Sequence, residues 1–248
     1  MSWALPVEPE ELLELALEYP YEAPDTSYLL EAGALKPLTT AALALCLGRY
    51  PVVAHGSNRA PAQLLRKFGT AATIPVTYGW LSGYDVVFGA HVSRYGAITS
   101  TLHAASGCQV RVAVTWLSRQ QLARMHETER LNYTYGRLPA ATFLPEAGPR
   151  PASLAAYLGN RGALLLDGRP VAIEGLEAEG RPHPAMSQRA LQRRLAERFE
   201  PGRPLAEVVL ERIARAEVRS AFTLALPASG PESLDAFEPL QRLDELPV

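Results

Sequence analysis

The stretch that most constrains the fold is residues 71–116, which are rich in Val, Thr, Tyr, Phe and Trp and show no helical periodicity. β-branched and aromatic residues favour strands, and glycines within such a stretch mark turns or bulges. The glycines that punctuate it are Gly79, Gly83, Gly89, Gly96 and Gly107. The stretch therefore predicts several antiparallel strands. In the last of them, the alternation from Val110 to Trp116 predicts one buried face.

Short helices and turns are predicted on either side of this stretch. Pro9 followed by two glutamates predicts a helix that stops at Pro20. An apolar strand at residues 52–54 leads into a tight turn and a helix over 61–68, with Gly69 as its C-terminal cap. Residues 118–121 match a capping box, which predicts a further helix from there to about Arg130.

The chain changes character beyond Pro139, where a proline- and glycine-rich connection runs as far as Pro151. Asp167-Gly168 predicts the turn of a hairpin over 164–173. Apolar periodicity then predicts helices over 188–199 and from 205 to about 220. The sequence thus predicts an α+β protein organised in three segments, 1–49, 50–140 and 141–248.

Composition places the chain in a broad class. Of its 248 residues, 48% are hydrophobic and 20% are charged, which is enough for a sizeable core. The formal net charge of −2 gives no general field that would attract nucleic acid or an anionic membrane. The longest aliphatic run, residues 41–47, falls well short of the roughly 20 residues that cross a bilayer. The N-terminal residues show no signal-peptide pattern, so we expect a cytoplasmic protein.

The predicted helix after Ser118 carries a carboxylate on its apolar face. At about 100° per residue, Glu129 lies about 20° from Leu122 and about 40° from Met125 around the helix axis. Glu127 lies on the opposite side and is expected to be solvated. We expect burial to raise the pKa of Glu129. The residue is then either a general base or a structural acid that a backbone amide or an arginine satisfies.

The turn after the strand at 52–54 is His55-Gly56-Ser57-Asn58. One hypothesis is structural: Gly56 makes the turn, and Ser57 or Asn58 caps the next helix. The other hypothesis is functional, because successive backbone amides at such a turn can bind a carboxylate or a phosphate. The residue types leave both hypotheses open.

Three segments in this order resemble the gamma-glutamylcyclotransferase-like superfamily: residues 53–58, residues 81–88, and residues 122–129 with Tyr133 four residues further on. The superfamily has a Tyr-Gly-Ser-Asn loop, a strand with a Gly-Tyr and a later Phe, and a glutamate near the end of a helix that follows a strand. The resemblance covers roughly residues 51–138, about a third of the chain. It implies a small mixed β-barrel with flanking helices over 50–140. Residues 1–49 would then form a helical cap segment, and the hairpin and helices of 141–248 would form an elaboration packed on the barrel.

The resemblance also implies a function, the cyclising cleavage of a γ-glutamyl amine or amide to 5-oxoproline with Glu129 as the acid/base. The residues that it assigns to substrate binding are His55, Gly56, Ser57, Asn58 and Tyr133. The attacking amine belongs to the same molecule as the carbonyl group that it attacks. Holding these two groups in the reactive orientation therefore supplies much of the barrier reduction, and neither a metal nor an activated serine is required. The histidines and the two cysteines, expected to be buried free thiols, are not spaced as a zinc site, so no metal or other cofactor is expected.

Three positions depart from the superfamily's pattern: His55 replaces the loop tyrosine, His126 replaces an aspartate and Arg130 replaces a glycine. Two alternatives therefore stay open, a non-catalytic small-molecule-binding or interaction protein that retains the pocket and an amide hydrolase that uses water in the same site. The expected partner is a small molecule with a γ-glutamyl or similar carboxylate group, rather than nucleic acid or a membrane. A homodimer through the C-terminal helices also stays open, as does a register in which Glu127 is the family glutamate.

Overall fold

A computed structural model describes residues 4–231, 234 and 237–240. The α-helices of this part of the chain are α1 (Pro9–Leu17), α2 (Thr40–Leu43), α3 (Pro61–Phe68), α4 (Arg119–Glu129), α5 (Gln188–Phe199), α6 (Leu205–Ala214) and α7 (Ala216–Ala225). The strands are β1 (Tyr28–Glu31), β2 (Ala34–Pro37), β3 (Tyr50–Ala54), β4 (Thr73–Val92), β5 (Ile98–Leu117), β6 (Tyr133–Leu138), β7 (Phe143–Pro145), β8 (Leu154–Gly159), β9 (Leu165–Leu166), β10 (Arg169–Pro170), β11 (Ala172–Ile173), β12 (Ala178–Glu179), β13 (Ala185–Met186) and β14 (Glu238–Pro239).

Two strands of 20 residues each, β4 and β5, form the centre of the fold. They pair antiparallel along most of their length, with a register shift beside Gly83. Gly83 and Gly107 flank this shift with φ of +84° and +78°, a backbone conformation that favours glycine. The prediction of several strands over 71–116 was therefore wrong in number. These two glycines form a bulge in one long hairpin instead of separating shorter strands.

The sheet is large and mixed. Its pairing order is β13-β11-β4-β5-β3-β8-β6-β14, with β1 and β7 also paired to β4 and β12 paired to β5. The β3–β8 and β11–β13 pairs are parallel. The α+β prediction is confirmed, but among the described residues the pairing does not return from β14 to β13, so the predicted barrel is not closed. In the part of the chain that the structure describes, the sheet ends instead at β13 and β14, two-residue strands from outside the 50–140 segment that pair with β11 and β6 and not with each other, and β8, also from outside that segment, lies between β3 and β6.

Both faces of the central strands are buried. On one face of β5, Val112 and Val114 belong to a core cluster that extends to the C-terminal helices. On the other face, Ala113 packs in a second cluster with Leu64 of α3 and Leu122 of α4. The prediction of one buried face in this strand was incomplete, because α3 and α4 cover the second face.

Helices α3 and α4 lie where the sequence predicted them. The Ser118 hydroxyl accepts a hydrogen bond from the Gln121 N–H at 3.3 Å, and Gln121 Oε1 accepts one from the Ser118 N–H at 2.9 Å. These two bonds complete the predicted capping box at the start of α4. Helix α3 ends at Gly69, whose φ is +77°. Both helices pack on the same face of the sheet, and their C-terminal ends lie side by side, where Lys67 of α3 contacts Glu129 of α4.

The C-terminal region follows the prediction with one correction. The Asp167-Gly168 turn joins β9 to β10, and α5 spans the predicted residues. The single helix expected from 205 to about 220 is two helices, α6 and α7, separated at Arg215 with φ −115° and ψ 104°. The break allows the Arg219 guanidinium to donate hydrogen bonds to the carbonyl oxygens of Arg212 and Ile213, at 2.8 and 3.2 Å, at the end of α6.

Two further sequence-based expectations concern the cysteines and the membrane. Cys46 and Cys108 are buried free thiols, as predicted. Within the described part of the chain, none of the helices has both the length and the apolar composition that a membrane span requires.

Candidate functional site

A cavity of about 310 Å³ lies where the end of β3, the tip of the β4–β5 hairpin and the adjacent ends of α3 and α4 meet. The structure brings all of the sequence-predicted site residues to its wall: His55, Gly56, Ser57, Asn58, Glu129 and Tyr133. Strand β3 delivers the first four, which we call the 55–58 loop, and α4 delivers Glu129. The fold therefore unites segments that are far apart in the sequence.

The 55–58 loop is held tightly against two hydroxyl groups. A Cβ atom at Gly56 would overlap both the Tyr19 hydroxyl and Ser100 Oγ. Only glycine therefore allows the backbone to come this close to these side chains. The short 3₁₀ turn Ser57–Arg59 follows and leads into α3. This arrangement explains Gly56 by close approach rather than by the turn conformation that the structural hypothesis invoked.

The Glu129 carboxylate lies inside the cavity with its side chain 14% exposed. It forms an ion pair with the ammonium group of Lys67, whose side chain is 5% exposed, and the contact is made through Oε1. Asn58 Nδ2 donates a hydrogen bond to the same oxygen at 3.3 Å. Glu127, by contrast, is 59% exposed and pairs with Arg124 at 2.6 Å, which agrees with its predicted position on the solvated side of the helix.

The expected direction of the Glu129 pKa shift was wrong. Burial does raise the pKa of this carboxyl, but the charge of Lys67 and the hydrogen bonds from Lys67 and Asn58 together lower it below its ordinary value. The carboxyl is therefore ionised at neutral pH. The helical wheel placed Glu129 on the buried face correctly, but it carried no information about a cation arriving from another helix.

His55 is part of a buried chain of hydrogen bonds. Its Nε2 donates to the carbonyl oxygen of Tyr157 at 2.9 Å, which leaves Nδ1 as the acceptor in the neutral ring. The Ser100 hydroxyl lies 2.9 Å from this Nδ1 and 2.7 Å from the Tyr19 hydroxyl. Burial lowers the pKa of His55, so the ring is neutral and the Tyr19–Ser100–His55 chain is fully satisfied.

Tyr133 and His91 form another part of the cavity wall. The Tyr133 hydroxyl donates to Thr99 Oγ1 at 2.8 Å and lies 3.1 Å from the carbonyl oxygen of Ser100. The Thr99 hydroxyl in turn lies 2.9 Å from His91 Nε2, and the His91 ring meets the Tyr133 ring edge-on at 5.3 Å between centroids. Burial lowers the pKa of His91 to about 4, so this ring is also neutral.

Sequence reasoning missed Lys67, Tyr19, Ser100 and His91 as residues of the cavity wall. Lys67 carried a usable signal, because it lies three residues after the buried Leu64 and therefore shares the buried face of α3. No local signal existed for the pairing of Tyr19 with Ser100, since these residues are 81 positions apart. The described residues contain no group of three or more His, Cys, Asp or Glu side chains that could hold a metal ion.

Comparison with known proteins gives no match to a family model, to a curated protein or to a solved structure. The features of this chain that bear on its function are therefore the geometry of the cavity and the resemblance carried by the 55–58 loop, the strand at 81–88 and Glu129.

We predict that Gly56→Ala destabilises the protein, because the added methyl group must displace the Tyr19 hydroxyl or Ser100 Oγ. Overpacking of this kind costs about 1–3 kcal/mol in the free energy of unfolding, which chemical denaturation measures. Gly89→Ala is a matched control, since a Cβ there meets its nearest neighbour, the Thr99 carbonyl oxygen, at an ordinary 3.5 Å. Equal effects of the two substitutions would contradict the close approach at Gly56.

We also predict that buried, neutral His91 makes the protein less stable in acid. Its pKa falls from 6.5 to about 4 on folding, so its stabilising effect is complete above about pH 6.5 and is lost as the pH falls toward about 4. The free energy of unfolding should decrease by up to about 1.4 kcal/mol per pH unit for this group. In His91→Gln the slope over this interval should be shallower, and a slope equal to that of the wild type would contradict the prediction.

Proposed function

We propose that this protein catalyses the cyclising cleavage of a γ-glutamyl amine or amide, releasing 5-oxoproline and the free amine, with Glu129 as the acid/base. The observation that carries the proposal is the position of an ionised carboxylate, 14% exposed, in the same cavity as the 55–58 loop and hydrogen-bonded to its Asn58. The cavity volume of about 310 Å³ is at the lower end of the range for small-molecule sites, which suits a substrate of this size.

The charge state of the site supports the first step. A γ-glutamyl group carries an α-ammonium, and an ionised carboxylate both attracts this cation and accepts its proton. Lys67 offsets part of the carboxylate's charge, and neutral His55 and His91 add no further positive charge beside it. Glu129 is thus ionised, and so able to accept a proton, in the resting protein.

The reaction follows from this arrangement. Glu129 takes one proton from the α-ammonium, and the freed amine attacks the γ-carbonyl carbon to close a five-membered ring. Glu129 then gives this proton to the leaving nitrogen, whose bond to the former γ-carbonyl carbon breaks as the C=O bond re-forms. The ring nitrogen still carries one proton more than the product, and Glu129 takes this second proton and passes it to the released amine or to solvent. The backbone of the 55–58 loop would bind the substrate carboxylate and the developing oxyanion. Since nucleophile and electrophile belong to one molecule, the cavity has only to hold them in the reactive conformation.

The proposal includes membership of the gamma-glutamylcyclotransferase-like superfamily and a cytoplasmic location. Two features support membership of the superfamily. These are the order along the chain of β3, the 55–58 loop, the β4–β5 hairpin and α4, and the convergence of these elements on one cavity.

A second candidate function, amide hydrolysis, is favoured by the contact between Ser100 and His55. The Ser100 hydroxyl lies 2.9 Å from His55 Nδ1, and the Tyr157 carbonyl oxygen orients the ring through Nε2, as in a serine–histidine dyad. Two facts place it second. Ser100 is only 2% exposed, and Tyr19 also hydrogen-bonds its hydroxyl group.

We predict that Glu129→Gln abolishes 5-oxoproline release while the fold is retained, because the amide cannot accept the α-ammonium proton. The measurement is mass-spectrometric detection of 5-oxoproline after incubation with γ-glutamyl amino acids, glutathione and γ-glutamyl amines. Circular dichroism checks the fold. Glu127→Gln is the matched control: it lies on the same helix, pairs with Arg124 at the surface and should retain wild-type activity.

Other outcomes of this experiment would identify the alternatives. Release of glutamate in place of 5-oxoproline, lost in Ser100→Ala but not in Glu129→Gln, would establish the hydrolase. Ligand binding without any product would indicate a protein that only binds its small molecule. Persistence of 5-oxoproline release in Glu129→Gln would overturn the assignment of the acid/base.

A further inference from the structure

The ion pair between Lys67 and Glu129 is almost fully removed from solvent. The two side chains are 5% and 14% exposed, and they come from different helices, α3 and α4. Burying two charges is costly unless each is well satisfied, so such a pair is weak evidence for a role in stability. A pair of this kind inside a ligand-sized cavity calls for a functional explanation.

We propose that Lys67 is a positioning residue that keeps Glu129 ionised and fixes its carboxylate as the ammonium acceptor of the cavity. This inference rests on the proposed function for its catalytic consequence. Among the described residues, the polar contacts of the carboxylate, from Lys67 and Asn58, both go to Oε1. Oε2 is therefore the oxygen left for the α-ammonium of a substrate.

The surroundings of Lys67 hold its ammonium group in place. Lys67 Nζ lies 3.4 Å from Met125 Sδ, one turn before Glu129 on α4. The backbone of Lys67 is also tied to α4, because Arg124 Nε donates to its carbonyl oxygen at 3.3 Å. A lysine held both at its ammonium group and at its backbone can fix the orientation of its partner, whereas a surface lysine cannot.

Lys67 is the cation in direct contact with Glu129. Arg94 and the Arg124–Glu127 ion pair also line the cavity and are charged. The remaining titratable groups that face this carboxylate are neutral at pH 7. They come from every element packed around it: Tyr19, His55, His91, Tyr95, His126, Tyr133 and Tyr157. Burial lowers the pKa of His91 and of His126 to about 4, and it raises the pKa of Tyr95 to about 12. At neutral pH these groups do not replace the charge of Lys67 if that charge is removed.

Removing the charge should therefore change both the titration of Glu129 and catalysis. In Lys67→Met we expect the pKa of Glu129 to rise by about 1 or more, because an opposite charge at contact distance lowers a carboxyl pKa by about 1–3. The acid limb of the profile of kcat/KM against pH should move upward by the same amount. At pH values well below the wild-type pKa, kcat/KM should then be about tenfold lower than that of the wild type if the pKa rises by about 1, and about a hundredfold lower if it rises by about 2.

The test compares wild type, Lys67→Met, Lys67→Gln and the conservative variant Lys67→Arg. The Glu129 carboxyl is titrated by NMR with isotope-labelled glutamate, and its resonance is identified by its disappearance in Glu129→Gln. The profile of kcat/KM against pH is measured on a γ-glutamyl amino acid that the wild type converts. Lys67→Arg keeps the positive charge and should restore a low Glu129 pKa, whereas both neutral variants should raise it.

The outcomes separate this inference from the proposed function. A Glu129 pKa that does not move in either neutral variant would overturn the inference, even if the protein is an active cyclotransferase and even if the variants are less stable. If the wild type converts no γ-glutamyl compound, the proposed function fails. The NMR titration still decides whether Lys67 keeps Glu129 ionised.

Discussion

The long pairing of β4 with β5 is the constraint on which the rest of this structure depends. Each strand has 20 residues, so one hairpin reaches from the packed centre of the sheet to the cavity. Its inner part supplies Val112 and Ala113 to the two core clusters. Its outer part supplies His91 and Ser100 to the cavity wall. The register of this pairing therefore sets both the core packing and the geometry of the cavity wall, because a slip of one residue would move side chains to the opposite face of the sheet.

The cavity assembled on this hairpin combines a buried ion pair with titratable side chains that are neutral. Burial lowers the pKa of both His55 and His91, so the charges of Lys67 and Glu129 act without interference from these rings. In a poorly solvated site, such a pair interacts more strongly with a bound ligand than it would at the surface. This is the electrostatic property that a zwitterionic substrate would meet.

The sequence predicted the local elements of this fold well and their assembly less well. The capping box at Ser118, the glycine at the end of α3 and the hairpin turn at Asp167 are signals within a few residues, and all are confirmed. The position of Glu129 on the buried face also depends only on residues of its own helix, so the helical wheel predicted it correctly. What failed depended on distant partners. A cation from α3 reversed the expected pKa shift, and strands from beyond residue 140 entered the sheet at β8 and at both of its ends, where the order of the described strands does not close.

The N-terminal segment lies outside the predicted 50–140 segment, and yet it forms part of the cavity. Tyr19 follows α1 and is 5% exposed, with its hydroxyl hydrogen-bonded to both the backbone N–H and the side chain of Ser100. Through Ser100 it reaches His55, and it also occupies the space beside Gly56 that a side chain would need. The conformation of the 55–58 loop is therefore coupled to the docking of residues that precede it by more than 30 positions. Through Tyr19, the N-terminal segment contributes to the cavity wall itself, in addition to adding β1 and β2 to the sheet.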